Sequence, residues 1–79
     1  MTIKILGTGC FNCQKLEVLT RQAGEELNIQ ANFEKVTEID KIVEYGIART
    51  PGLVINEKVL CSGRIPPISQ IKTWIQEAE

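Results

Sequence analysis

Early in the chain the hydrophobic period switches once, and a cysteine pair sits on the switch. Thr2-Ile3-Lys4-Ile5-Leu6 is β-branched and loosely alternating, the pattern of a strand, and Gly7-Thr8-Gly9 ends it as a loop. From Asn12 the period becomes that of a helix, with Cys13, Leu16, Leu19, Ala23 and Leu27 recurring at steps of three and four. Gly24 weakens this helix by about 1 kcal/mol relative to alanine, and Asn28 is its expected stop. A strand followed by an amphipathic helix is the opening of a βα unit, and that directs the rest of the chain toward a layered α/β arrangement.

Ile29 to Val36 fits a second strand, with Ile29, Ala31, Phe33 and the stem of Lys35 on one side. Thr37 offers a helix cap, Glu38 and Asp40 place negative charge in a first turn, and Ile39, Ile42 and Val43 form a narrow apolar stripe closed by Gly46. Beyond Ala48-Arg49-Thr50-Pro51-Gly52, the runs Leu53-Val54-Ile55 and Lys58-Val59-Leu60-Cys61 flank Asn56-Glu57 with hairpin spacing, although glutamate is a poor residue for a type I′ turn. Ser62-Gly63-Arg64 breaks the last strand. Pro66-Pro67 suits the first positions of a helix whose inner face carries Ile68, Ile71, Trp74 and Ile75. The expected order is βαβαββα. Two early βα units favour a parallel strand pair and the hairpin adds antiparallel strands, so the class is α/β: a four-stranded mixed sheet with three helices.

With 79 residues the chain has room for one domain and one core, since a segment of this size buries only about 60% of its unfolded surface. Residues 1–79 are therefore read as a single unit. Nine basic against ten acidic residues lack the basic excess that nucleic acid or an anionic lipid surface rewards. The apolar run at the start is too short for a signal peptide, and no stretch approaches the roughly 20 residues that span a bilayer. The expected setting is cytoplasmic. Three cysteines there do not make a disulfide framework, and a close pair points to catalysis or metal.

Cys10-Phe11-Asn12-Cys13 lies where loop becomes helix, so the first sulfur stands among free backbone N–H groups at the positive end of a helix dipole. A thiolate is stabilised there, but its nucleophilicity falls with its basicity, so the net gain for attack is modest. The larger advantage is proximity: a second thiol one helical turn away meets a mixed disulfide at high effective concentration. Cys10 is expected to attack, and Cys13, deeper in the helix, to resolve. The chief alternative is a thiol-based metal or metalloid site built from Cys10, Cys13 and Cys61. With no histidine in the chain, it would have three thiolates and a carboxylate at best. Inert core cysteines and a non-catalytic interaction domain are further readings.

Gly7-Thr8-Gly9-Cys10-x-x-Cys13 after a strand, Thr50-Pro51 before another, and Gly63 after the last strand together resemble the thioredoxin/glutaredoxin-like superfamily. They are most similar to the small prokaryotic glutaredoxin-like redox-active disulfide proteins. The likeness covers nearly the whole chain and implies a minimal thioredoxin fold and dithiol–disulfide exchange with a partner protein. It also implies regeneration by a reductase, and no bound cofactor. In the family the residue at Pro51 is a cis-proline beside the cysteine pair, and its neighbour at Thr50 offers backbone groups to an extended substrate. Phe11, Asn12 and Gly63 join them as expected substrate contacts. Several positions depart from the pattern. Gly9 replaces the tryptophan of thioredoxins, Phe11-Asn12 replaces both Gly-Pro and Pro-Tyr, and Ser62-Gly63 replaces the Gly-Gly of glutathione-binding glutaredoxins. Phe11 is read either as an exposed docking face or as a ring folded onto the domain. Lys15 and Arg64 are read as solvated charges, with thiolate support and carboxylate binding as their respective alternatives. Cys61, at a strand end, is read as a packed thiol, with a third redox centre as its alternative.

Overall fold

The computed structural model describes residues 1–79. Its elements are β1 (Thr2–Leu6), α1 (Phe11–Glu26), β2 (Asn32–Val36), α2 (Ile39–Glu44), β3 (Gly52–Ile55), β4 (Lys58–Ser62) and α3 (Ile68–Ala78). This is the order expected from the sequence. The strands form one mixed sheet, β2-β1-β3-β4. β1 and β2 run parallel, which requires the α1 crossover between them, while β3 pairs antiparallel with both β1 and β4.

The strand alternation assigns the two faces. Ile3, Ile5, Leu53 and Ile55 point to the side covered by α1 and α3, where they meet Leu16, Ala23, Ile71 and Ile75. Leu6 and Val54 point the other way and meet Ile42 and Ile47 under α2. Trp74 and Ile68 are only partly buried, at the margin of the larger cluster. Thr20, on the buried stripe of α1, is fully enclosed and satisfies its hydroxyl by donating to the Leu16 carbonyl at 2.7 Å.

Several boundaries differ from the sequence reading, each for a local reason. α1 begins at Phe11 because Cys10 itself is the N-cap. It ends as expected at Asn28, whose φ of 59° lets Asn28 N–H reach Glu25 O and Ile29 N–H reach Gly24 O at 3.0 and 2.9 Å, a Schellman closure. That closure ties up Ile29, so β2 starts only at Asn32. Ile29 and Ala31 still pack on the core from the connecting loop. The cap of α2 is Glu38 rather than Thr37, and it makes no side-chain capping bond. Of the expected stripe only Ile42 is buried; Ile39 and Val43 are 68% and 61% exposed, because a six-residue helix presents too narrow a face to bury all three. Pro66 and Pro67 precede α3 instead of opening it, with Pro67 extended at the N-cap. The hairpin turn places Asn56 and Glu57 at φ 50° and 68°, the type I′ arrangement. Glu57 is held there by an ion pair to Lys4 at 2.7 Å, while Tyr45 donates to the same carboxylate and accepts from Lys4 at 2.8 Å. The ladder also slips between Leu53 and Val54, pairing them with Cys61 and Val59 and leaving Leu60 as a bulge.

Candidate functional site

The ladder registers gather the functional loops at one end of the sheet. Leu6, the last residue of β1, lies opposite Gly52, the first of β3, and Gly52 lies opposite Ser62, the last of β4. The turn carrying the cysteines, the Thr50-Pro51 segment and the loop at Gly63 therefore share that end, as the sequence motifs required.

Cys10 caps α1 with extended backbone, φ −68° and ψ 165°. Its sulfur accepts the backbone N–H of Cys13 at 3.2 Å, and its carbonyl accepts that of Gln14 at 3.0 Å. The sulfur thus occupies a capping position that suits negative charge, since free N–H groups and the helix dipole converge on it. Cys10 and Cys13 form a disulfide with Cα atoms 5.1 Å apart. Cys10 is exposed, whereas Cys13 is buried at 5% exposure. Phe11 is 77% exposed, which decides between its two readings in favour of an open apolar face. Asn12 and Lys15 are exposed beside it. Phe11, Gln14, Lys15 and Val18 border a shallow hollow along α1.

What seats Cys13 is the missing side chain of Gly7. A Cβ built there would run into the Cys13 sulfur and stand 2.9 Å from Cys13 Cβ and 4.0 Å from Thr50 Cβ. Gly7 also donates its N–H to Val36 O at 2.9 Å, so its backbone is pinned to the end of β2. Thr50–Pro51 is a cis peptide, with Pro51 buried and Thr50 exposed. Pro51 O accepts the N–H of Gly63 at 2.8 Å. Gly63 has φ 74°, a left-handed conformation in which a side chain would be strained, and Arg49 packs across it.

One residue near the pair was not singled out from the sequence. Glu17, one turn beyond Cys13 on α1, lines with it a cleft of about 90 Å³ that also involves Gly7, Gln14, Lys35 and Thr37. Burial works to raise the Glu17 carboxyl, but hydrogen bonds from Lys35 and Arg21 prevail and hold it below the usual range. The cations stand 3.2 and 3.1 Å away. The i, i+4 spacing from Cys13 was the available signal, and it does not distinguish this carboxylate from any other on an exposed helix.

Cys61 is a free thiol in the main core. Desolvation there pushes its thiol above the ordinary value, against the opposing effects of Arg64 and a backbone bond with Leu53. It packs with Leu53 and Ile71, so the third thiolate of the metal reading is core. No group of three His, Cys, Asp or Glu side chains is placed so that it could hold a metal ion. No helix is long and apolar enough to cross a membrane.

Comparison with known proteins agrees with this geometry. The family model described as Thioredoxin domain matches residues 1–76. A protein named Thioredoxin from Methanothermobacter thermautotrophicus is 46% identical over 72 residues, covering 91% of this chain and 94% of that protein. Another named Thioredoxin, from Methanocaldococcus jannaschii, is 36% identical over 72 residues, covering 91% and 83% respectively.

Proposed function

The chain belongs to the thioredoxin domain family and is a thiol–disulfide oxidoreductase, and from that premise we propose that Cys10 is its attacking sulfur and Cys13 its resolving one. The observation that carries these roles is the asymmetry of the pair: an exposed Cys10 whose sulfur accepts a helix-terminal N–H at 3.2 Å, with Cys13 buried behind it. In the reductive direction the Cys10 thiolate attacks one sulfur of a partner disulfide. A Cys10–partner bond forms, and the partner's other sulfur leaves as a thiolate that takes up a proton. Cys13 then gives up its proton and attacks the Cys10 sulfur, closing the internal disulfide and releasing the partner's second thiolate. Two electrons have passed to the partner, and the cysteines are the only carriers required.

Each neighbour has a part in this scheme. An extended substrate segment lies along Thr50, bonding its backbone, and the buried ring of Pro51 offers no N–H to compete for it. Phe11 and Asn12 meet the partner on the helix side, while Gly63, its N–H bonded to Pro51 O, bounds the segment on the β4 side. The physiological partners are a protein carrying a disulfide and a reductase that restores the dithiol. Neither nucleic acid nor a membrane takes part, and the protein works in the cytoplasm as one domain over residues 1–79.

Two measurements test the roles. Iodoacetamide should modify Cys10 before Cys13 in the reduced protein near neutral pH, and preferential labelling of Cys13 reverses the assignment. A Cys13→Ser variant should accumulate mixed disulfides through Cys10. Recovery of no adducts beyond those of a Cys10→Ser control removes the protein-reductase role.

A further inference from the structure

The charge on this chain is nearly balanced, nine basic against ten acidic residues, but it is not evenly placed. α1 and α3 both start at the redox end of the sheet and run away from it, so Glu25, Glu26, Glu77 and Glu79 lie toward the far end, as does Glu57 in the hairpin turn. The ion pairs of the molecule employ Lys4, Arg21, Lys35 and Lys72. Five exposed cations have no carboxylate partner: Lys41 on α2, Lys58 beside the hairpin turn, and Lys15, Arg49 and Arg64, which chain order and ladder register place toward the redox end.

Their placement follows from the register. Arg49 immediately precedes the cis Thr50–Pro51 bond, and Arg64 immediately follows Gly63, whose N–H is bonded to Pro51 O. Both arginines are therefore chain neighbours of the Thr50–Pro51 strip along which the proposed substrate segment lies. The stem of Arg49 is laid over Gly63, with Cβ and Cδ 3.0 and 3.3 Å from where a Gly63 Cβ would be, so part of its side-chain freedom is already given up. Lys15 extends the cationic rim to the helix side next to Phe11. The acidic residues at this end, Glu38 and Asp40, belong to the start of α2 beyond edge strand β2, on the far side of the cysteines from the two arginines. Glu17 is already neutralised by Lys35 and Arg21.

Resting on the assignment of Cys10 as the attacking sulfur, we infer that this protein selects disulfides in extended polypeptide segments that carry Asp or Glu next to the cysteine. Arg49 and Arg64 receive those carboxylates on the strand side and Lys15 receives one on the helix side. A planar guanidinium pairs with a carboxylate through two parallel N–H donors, which fixes orientation as well as adding attraction. A segment with lysine next to its cysteine meets unpaired like charge at the same places and is rejected.

The test uses three cysteine peptides, each activated as a 2-thiopyridyl mixed disulfide and differing only in flanking Glu, Gln or Lys. Attack by the Cys10 thiolate breaks the disulfide and releases 2-thiopyridone, whose absorbance gives the rate. Each exposed charge pair is expected to favour the acidic peptide over the neutral one by up to about fivefold at low ionic strength, with the lysine peptide slowest. The preference should shrink in about 0.5 M salt, where screening acts within a few ångströms. Arg49→Gln, Arg64→Gln and Lys15→Gln keep most of the aliphatic stem, and each should reduce the ratio of acidic to neutral rates; the triple variant should bring it near unity. Equal rates for the three peptides, or a ratio that survives the triple variant, overturns the inference. Faster reaction with oxidised glutathione than with the acidic peptide also overturns it, by assigning the cations to a small thiol. Undiminished thiopyridone release by a Cys10→Ser protein would instead sink the attacking role on which the inference rests.

Discussion

Gly7→Ala is expected to be among the most damaging small substitutions in the molecule, although it adds a single methyl group. The new Cβ would clash with the Cys13 sulfur and lie 2.9 Å from Cys13 Cβ. Rotating the sulfur away relieves only the first contact, since Cβ moves only if the first turn of α1 moves. Nor is Gly7 free to retreat, because its N–H is bonded to Val36 O at 2.9 Å. Forcing a methylene into a packed site of this kind costs about 1–3 kcal/mol, which for a domain of this size lowers the melting temperature by roughly 4–8 °C per kcal/mol. Gly24→Ala supplies the contrast. Its Cβ would meet only Phe33 Cζ at 3.4 Å, and alanine is favoured over glycine in a helix interior by about 1 kcal/mol. Thermal unfolding followed by circular dichroism, on oxidised and reduced protein, should therefore show opposite shifts for the same chemical change. A Gly7→Ala protein within about 0.5 kcal/mol of wild type in both oxidation states, the usual scatter of surface substitutions, would refute the claim that this glycine seats Cys13.

Acid should destabilise the fold through Glu17, Glu26 and Glu57, whose carboxyls are all held below the ordinary value of 4.5. A depressed folded value contributes stability above pH 4.5 that is lost as pH falls through the lower folded value. Urea unfolding across that range should show the loss, and Glu17→Gln should make its pH slope shallower. Cys61→Ala should leave the disulfide exchange rate intact while costing about 1–2 kcal/mol for the buried atoms removed; slower reductase-coupled turnover would give Cys61 a redox role instead. Ile75→Ala, at a fully buried position of α3, should cost about 2–5 kcal/mol, measurable by denaturant titration. Thr20→Val removes a buried hydroxyl that is bonded to a carbonyl of its own helix, and should change stability by about 0.5–1.5 kcal/mol, the net worth of one such hydrogen bond.

Element identity was legible because the period of apolar residues is a local property. The step from Ile3-Ile5 to Cys13-Leu16-Leu19 marks β1 and α1, and Leu53-Val54-Ile55 with Val59-Leu60-Cys61 marks the hairpin. Positions that failed are those where a tertiary neighbour decides. Ile39 and Val43 have the spacing of a core stripe, yet α2 is too short to press them onto the sheet. Glu57 is a poor candidate for a left-handed turn residue, but Lys4 and Tyr45, distant in sequence, hold its carboxylate there.

The sequence by itself determined the order of elements, the pairing of Cys10 with Cys13 at the mouth of a helix, and the presence of a proline segment and a glycine loop. Such features depend on residues within a turn or two of one another. Only the tertiary structure decided that Gly7 makes room for the Cys13 sulfur, that Glu17 shares its cleft, and that Arg49 and Arg64 come to stand around the same site. Those relations depend on strand register, and register is settled only when side chains from separated segments pack against one another and fix how far each strand slides.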